Sequence, residues 1–438
     1  MRVAIRNSLA AMLKRGLLHV IVSNVVQQGA AFLTVMITAK LLMPSDFALV
    51  RIALAYVAIG TVIAAGGLTA PVLRYCADAN FSEAVRRFLL GRGVQRLLIV
   101  SVAVVVVAML LTLLKYESQS ELVVLSAYAL QLPGLALASL FLVYLQAVQQ
   151  FKVLASFQVI IRVMALCVTA IATYLYGLTG LLLAALLMTY LACVPLYLLS
   201  RPIFTAQDVR ALPSDFTQLA RYSMVGTLIS TVGQYADILI LDMVGVENSQ
   251  IAIYSLATIF FFAASALIGA VQGVVTPAFT VLLNEPEQFR RQLHRWSIMM
   301  SLAGLPIAFF MVALAYAAQT WFLDEHYRGL APLLILLMVK FCLWCTFAVG
   351  GAALVGIGAI RQGTWIATAT TLVAIAVGYP LCSYFGIWGA AWTQVVISVV
   401  SAGLIWWTIV VQTRALQVQG LGKPLAGPDH LLDQIDAK

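Results

Sequence analysis

Charge is the scarcest commodity in this 438-residue sequence: Asp, Glu, Lys and Arg together make up 10% of it, against about 25% in ordinary soluble domains. That excludes a water-soluble globule. Cysteine is sparse and scattered. Cys76, Cys167, Cys193, Cys342, Cys345 and Cys382 follow no regular spacing and lie mostly inside apolar runs, so no disulfide framework is expected. Cys342-x-x-Cys345 has no histidine nearby and sits in an apolar helix, which reads as packing and not as zinc or redox chemistry. No Gly-rich phosphate loop, GxSxG elbow, HExxH or paired-carboxylate motif stands in an aqueous segment, and no loop is long enough to house a nucleotide-binding domain. An enzyme is therefore not expected, nor a metal or a cofactor.

What is present is hydrophobic length. The chain is 63% hydrophobic with a mean hydropathy of +0.99. Its apolar runs are about 20–25 residues long, the length that crosses about 30 Å of hydrocarbon as helix. Barrel-type alternation is absent. An all-α polytopic membrane protein is expected, with twelve spans centred near Leu33, Val57, Val104, Leu132, Cys167, Leu187, Leu239, Ala264, Leu305, Phe341, Leu372 and Ile397.

The cations set the orientation. With the N-terminus inside, most fall on cytoplasmic segments: Arg2, Arg6, Lys14 and Arg15; Arg74, Arg86, Arg87, Arg92 and Arg96; Lys152; Arg201, Arg210 and Arg221; Arg290, Arg291 and Arg295; Arg361; and Arg414, Lys423 and Lys438. The outer side holds Arg51, Lys115 and Arg328, while Lys40, Arg162 and Lys340 lie within spans. Both termini are thus expected in the cytoplasm. The net charge of +9 is mostly topology, with anionic membrane lipids as counter-charge, and gives no support to a nucleic-acid role. Met1 to Gly16 lacks a small-residue cleavage site and reads as leading into a retained helix.

Polar residues inside the spans carry the functional signal. Between Arg221 and Ala257, Ser223, Thr227, Ser230, Thr231, Gln234 and Asp237 fall within an arc of about 120° at helical spacing, with Asp242 just off it. A charge at bilayer depth costs at least about 2.5–3.5 kcal/mol, so such a face turns toward other helices or a watered cavity. The alternative is that the hydroxyls bond back to their own helix and Asp237 is a structural partner. The first span carries a matching face: Asn24, Gln27, Gln28, Thr34 and Thr38. Lys340 lies near mid-membrane with about a turn of apolar residues on either side, which predicts a functional cation or an ion pair with Asp237 or Asp242. Arg162 falls roughly 10 Å from the inner face, where it either snorkels or binds an anion in an inward cavity. Lys40 reads as snorkelling to the outer interface. Around it, MPSDF at Met43 to Phe47 reads as a tight turn with Ser45 or Asp46 capping the next helix. SEAVRRFLLGRGVQRLL, from Ser82, reads as an amphipathic piece lying on the membrane surface.

The chain also repeats itself. FALVRIALAYV from Phe47 matches IAIYSLATIFF from Ile251 in apolar pattern, an offset that also pairs Gly29 with Gly233, and YGLTGLLLA from Tyr176 resembles FGIWGAAWT from Phe385. Two six-helix lobes follow, residues 1–212 and 213–412, with 413–438 as a polar, disordered cytoplasmic tail.

LLMPSDFALVRIALAY, GGLTAPVLRY, YADILILDMVGVENSQIAIYSLA and YFGIWGAAWTQ together resemble the polysaccharide flippases (Wzx-type, polysaccharide transport family) of the multidrug/oligosaccharidyl-lipid/polysaccharide exporter superfamily. The likeness covers most of Leu17 to Val411. It implies a V-shaped pair of lobes that moves lipid-linked oligosaccharide across a bacterial inner membrane by alternating access, with a proton or sodium as possible coupling ion. Under that resemblance Lys340, Arg162, Asn24, Gln27, Gln28 and Gln234 are the expected substrate contacts, and Asp237 and Asp242 the ion-coupling carboxylates. A multidrug exporter of the same superfamily shares the architecture, and the two carboxylates keep it in view. A lipid-II-type flippase is a near relative. A membrane-embedded glycosyltransferase or polymerase is disfavoured by the missing long loops. The topology is directly testable: cysteine accessibility should place the Ser200 to Arg221 loop in the cytoplasm, and labelling of that loop from outside would overturn the orientation.

Overall fold

The computed structural model describes residues 18–78, 81–116, 118–204, 215–281, 286–356 and 359–420. The expected 413–438 tail lies outside the described residues from 421 onward. Among the described residues the chain is helical throughout, with no strand. In hydrocarbon that follows from the backbone itself, whose every N–H and C=O must be satisfied within the segment. The helices are α1 (Leu18–Leu41), α2 (Pro44–Ala65), α3 (Thr69–Ala77), α4 (Glu83–Lys115), α5 (Gln119–Ala129), α6 (Leu132–Ala147), α7 (Phe151–Ser200), α8 (Phe216–Val244), α9 (Asn248–Val281), α10 (Pro286–Trp321), α11 (Leu330–Gly356) and α12 (Ile360–Gly420).

Two of these are far too long for one crossing. At about 1.5 Å per residue, the 50 residues of α7 would run more than twice the hydrocarbon thickness. Each long helix folds back at a glycine. Gly177 in α7 has φ 57° and ψ −136°, and Gly386 in α12 has φ 55° and ψ −130°. These dihedrals are open essentially to glycine alone. Three residues later a second glycine lets the returning helix close on the outgoing one: a Cβ at Gly180 would lie 1.9 Å from the Ala172 carbonyl oxygen, and one at Gly389 1.9 Å from that of Leu381. The YGLTG and FGIWG segments are thus the same hairpin built twice. Nine stretches among the described residues are long and apolar enough to cross a membrane. Two of them double back at their glycines and α1 adds one more polar helix, so twelve helical passages fall among the described residues.

Because successive passages alternate, the helix ends fall on two faces. One, the short-turn face, carries the turns after Leu41, Lys115, Val244 and Trp321; the other, the basic face, carries Arg74, Arg86, Arg87, Arg92, Arg96 and Arg201. In the first half α1 and α6 pack on α7, and α4 on α6; in the second α9 and α10 pack on α11, and α8 on α12. The halves meet where α2 lies against α8 and α9, and α1 against α9. A core cluster spans that seam, with Phe47, Ile52 and Tyr128 from one side and Tyr254, Phe260 and Phe341 from the other. Rings cross it edge to face, Phe32 on Phe260 at 5.1 Å and Phe47 on Tyr327 at 6.5 Å.

Three local expectations are corrected. Residues 83–96 do not form a separate surface helix but the first turns of α4, a continuous 33-residue helix capped by Ser82, whose Leu89, Leu90, Val94 and Leu97 are buried. Their apolar stripe is used against α3 and α6 and not against lipid. Ser45 and Asp46 do not cap α2; Met43 is its N-cap without a side-chain bond, and Pro44 supplies the preset first turn. Arg51 is not in an outer loop but two turns into α2. The doubled hairpin yields a stability prediction. Gly177→Ala and Gly386→Ala should each cost about 1–3 kcal/mol, read as a lowered midpoint in thermal unfolding of the full chain in detergent; an unchanged midpoint would contradict the dihedral argument.

Candidate functional site

Asp237 organises the interior of the second half. It is buried in α8, and its carboxylate accepts three hydrogen bonds: from the Tyr254 hydroxyl (2.5 Å) and the Gln394 amide nitrogen (2.9 Å) on Oδ2, and from the Ile238 backbone N–H (2.8 Å) on Oδ1. An acceptor-only group buried here needs such donors, because nothing else replaces water. Gln394, on the returning limb of α12, turns its oxygen the other way and accepts from the Lys340 ammonium at 2.6 Å. That ammonium lies 4.0 Å from the Phe261 ring centroid, where the π-face adds a weak attraction. Four helices, α8, α9, α11 and α12, therefore meet in one relay from Tyr254 through Asp237 and Gln394 to Lys340. Beside it opens a cleft of about 160 Å³ lined by Gln234, Asp237, Thr258, Phe261, Lys340 and Gln394, among others.

The expected direct pair between Lys340 and a carboxylate is corrected by this geometry. Among the described residues Lys340 makes no ion pair, and Gln394 stands between it and Asp237. Across the seam, Arg51 of α2 has a buried Nε with no hydrogen-bond partner among the described residues.

The other sequence candidates divide into three places. Gln234 joins Asp237 and Lys340 in the cleft. Asn24 and Gln28 line a second cleft, about 380 Å³, with Gly29 and Phe32 of α1, Ala263 and Leu267 of α9 and Met311 of α10; Phe262 of the first cleft and Ala263 of the second are neighbours in α9. Gln27 donates to Ser23 (3.3 Å) and, at 3.5 Å, to Gln158 of α7. Arg162 follows Gln158 by one turn and is exposed. Of the α8 polar side chains, the Thr231 hydroxyl donates back to the Thr227 carbonyl as the structural alternative anticipated, while Thr227, Ser230 and Gln234 are exposed.

Asp242 stands apart, at the short-turn end. Its Oδ2 takes the Lys115 ammonium (2.7 Å) and the hydroxyls of Tyr56 (2.9 Å) and Tyr116 (3.1 Å), so α2 and α4 of the first half are fastened to α8 of the second. Lys40 does not simply snorkel; it pairs with Asp324 at 2.5 Å, and next to it the Tyr327 hydroxyl donates to the Ala39 carbonyl at 3.2 Å. Two ion pairs thus hold the halves together on this face. At the basic face, Tyr75 and Arg74 of α3 both bond Asp215 just ahead of α8. The Tyr75 hydroxyl, ahead of Arg74, holds the Asp215 carboxyl below the usual carboxylate range.

With the geometry set out, its relatives are informative. The sequence profile of a family described as "Polysaccharide biosynthesis protein" matches residues 13–283. The chain belongs to that family. A search of curated proteins gave no match. Among solved structures, the fold of this polysaccharide biosynthesis family member is similar to an inward-facing multidrug resistance MATE family transporter of the MOP superfamily, with 15% identity over 89% of this chain and 95% of that one and a TM-score of 0.69. It is also similar to the lipid II flippase MurJ in an inward closed conformation, with 12% identity over 91% of this chain and 90% of that one and a TM-score of 0.67. An outward-facing MATE family transporter matches at 14% identity over 92% and 96%, TM-score 0.63. The chain shares the fold of these solved structures, and the protein is a multi-pass membrane protein.

The fastening of the short-turn face predicts a shift in population. Half-exposed ion pairs contribute about 0.2–1 kcal/mol each, so Lys40→Met with Lys115→Met should favour an opened short-turn face by up to about 30-fold. Spin labels at Ser118 and Glu247 should then show a longer distance in the double variant; an unchanged distance distribution would show that these pairs do not hold the face shut.

Proposed function

We propose that the protein is a flippase that moves polyprenyl-pyrophosphate-linked oligosaccharide units across a bacterial inner membrane, for O-antigen, capsule or exopolysaccharide assembly. Membership of the polysaccharide biosynthesis family carries the reading, and the Lys340 ammonium supports it, since it stands at the cleft with an amide and a ring as its partners while Asp237, which lines the same cleft, is bonded to other donors. A cation in that position attracts a pyrophosphate and repels a cationic drug, which favours the flippase over a multidrug exporter.

In this reading the two halves, 1–212 and 213–412, are six-helix lobes that alternate access, with both termini cytoplasmic and the basic face inward. Lys340 takes the substrate phosphate at the cleft. Gln234, Asn24, Gln27 and Gln28 meet sugar hydroxyls, and Arg162 offers a second anion contact on α7. The prenyl tail stays against apolar helix faces or bilayer lipid. Asp237 is the carboxylate placed to sense a proton or sodium, because Asp242 is committed to Lys115 and two tyrosines.

Replacing Lys340 by methionine keeps much of the volume and removes the charge. Lys340→Met should express and keep its unfolding midpoint while transport of the lipid-linked glycan in proteoliposomes falls at least about tenfold, the scale of one lost charge-assisted hydrogen bond. Lys340→Arg should rescue only partly, because a planar fork is not a point charge. Wild-type transport by a stable Lys340→Met protein would contradict the assignment.

A further inference from the structure

A lysine and an aspartate sharing one buried layer ordinarily find each other. In apolar surroundings their attraction is many times its value in water, and a direct pair satisfies both. Here they do not touch. The Gln394 side chain, buried in the returning limb of α12, occupies the space between them, donating to Asp237 at 2.9 Å and accepting from Lys340 at 2.6 Å. Each half of the amide is matched to its neighbour, oxygen to ammonium and nitrogen to carboxylate, so its orientation is set by the two charges. Asp237 also accepts from the Tyr254 hydroxyl and the Ile238 N–H, so it has three donors in place without the ammonium.

The consequence falls on Lys340. An ammonium has three donors. One goes to Gln394 and the Phe261 ring lies near the group, and among the described residues no other acceptor takes a hydrogen bond from it. Donor capacity is left over at the wall of the cleft that Gln234 and Thr258 also line. Were Lys340 paired directly with Asp237, an arriving anion would first have to break that pair.

We propose that Gln394 is a positioning residue: an amide spacer that keeps Lys340 and Asp237 from closing into an ion pair and so holds the ammonium available to the pyrophosphate of the substrate. The inference rests on Lys340 being the anion contact under the function proposed above. Gln394 does not itself bind the phosphate; it acts through Lys340.

The test is binding of farnesyl pyrophosphate to the purified full chain, with farnesol as the uncharged control and the unfolding midpoint recorded for every variant. Gln394→Leu removes the spacer, lets Lys340 reach Asp237, and should weaken farnesyl pyrophosphate binding about tenfold or more with the midpoint kept or raised. Farnesol binding should stay the same. Adding Asp237→Asn removes the competing carboxylate, so the double variant should recover to within about threefold of wild type. A residue that merely glued helices together would behave otherwise, since the second substitution would then add to the damage. Wild-type affinity in Gln394→Leu, or a folded double variant no tighter than Gln394→Leu alone, overturns the proposal. If Gln394→Leu fails to fold, Gln394→Met, which also removes the amide, takes its place: weaker farnesyl pyrophosphate binding that Asp237→Asn restores supports the spacer, and wild-type binding by the folded variant, or no recovery in the folded double variant, overturns it. Lys340→Met separates the two levels, because wild-type pyrophosphate affinity in that variant defeats the anion-site reading itself, whatever Gln394 does.

Discussion

Charge inside hydrocarbon has to be answered locally, and the second half of this molecule is arranged around that requirement. Asp237 is answered by three donors, and Lys340 by an amide oxygen and a ring face. Neither is answered by the other. Breaking a buried pair by removing one partner typically costs about 3–5 kcal/mol, so a carrier that used such a pair as its binding site would have to spend much of its substrate affinity on opening it. A relay with an amide in the middle avoids that cost and still leaves no group stranded.

The same requirement shapes the seam between the halves. Arg51, in α2 of the first half, carries a buried Nε with no hydrogen-bond partner among the described residues. Toward the short-turn face the seam is closed by packed rings and then by Lys115 on Asp242 and Lys40 on Asp324. Those pairs are partly exposed and individually weak. Weak fastenings suit a device that must release them in every cycle, and the doubled glycine hairpins at Gly177 and Gly386 give each half a matching rigid corner on that face.

Much of this was legible in the sequence, for reasons that differ by residue. Asp237 and Lys340 stand out because a charge in an apolar run is expensive enough to be noticed without knowing its partner. The repeat of YGLTG in FGIWG was visible as pattern, although the positive φ that makes the first glycine obligatory was not. Gln394 and Tyr254 escaped notice, because an amide or a phenol in a span is cheap enough to be ordinary, and their importance comes from partners 157 and 17 residues away. Lys40 looked like an interface anchor and Lys115 like an outer-side cation, since one-dimensional spacing cannot say that Asp324 and Asp242 face them. The helical period of residues 83–96 showed an apolar stripe but not what covers it, and α3 and α6 turned out to be the cover.

The account stands or falls on what the cleft carries. Wild-type protein in liposomes should be offered, in the same vesicles, a fluorescent polyprenyl-pyrophosphate-linked oligosaccharide and a cationic dye of the kind multidrug exporters move, with the transfer of each across the bilayer followed separately. Protein-dependent transfer of the lipid-linked sugar with the dye left in place is the result predicted from an unpaired ammonium at the cleft. Transfer of the dye while the lipid-linked sugar stays in its original leaflet would contradict it.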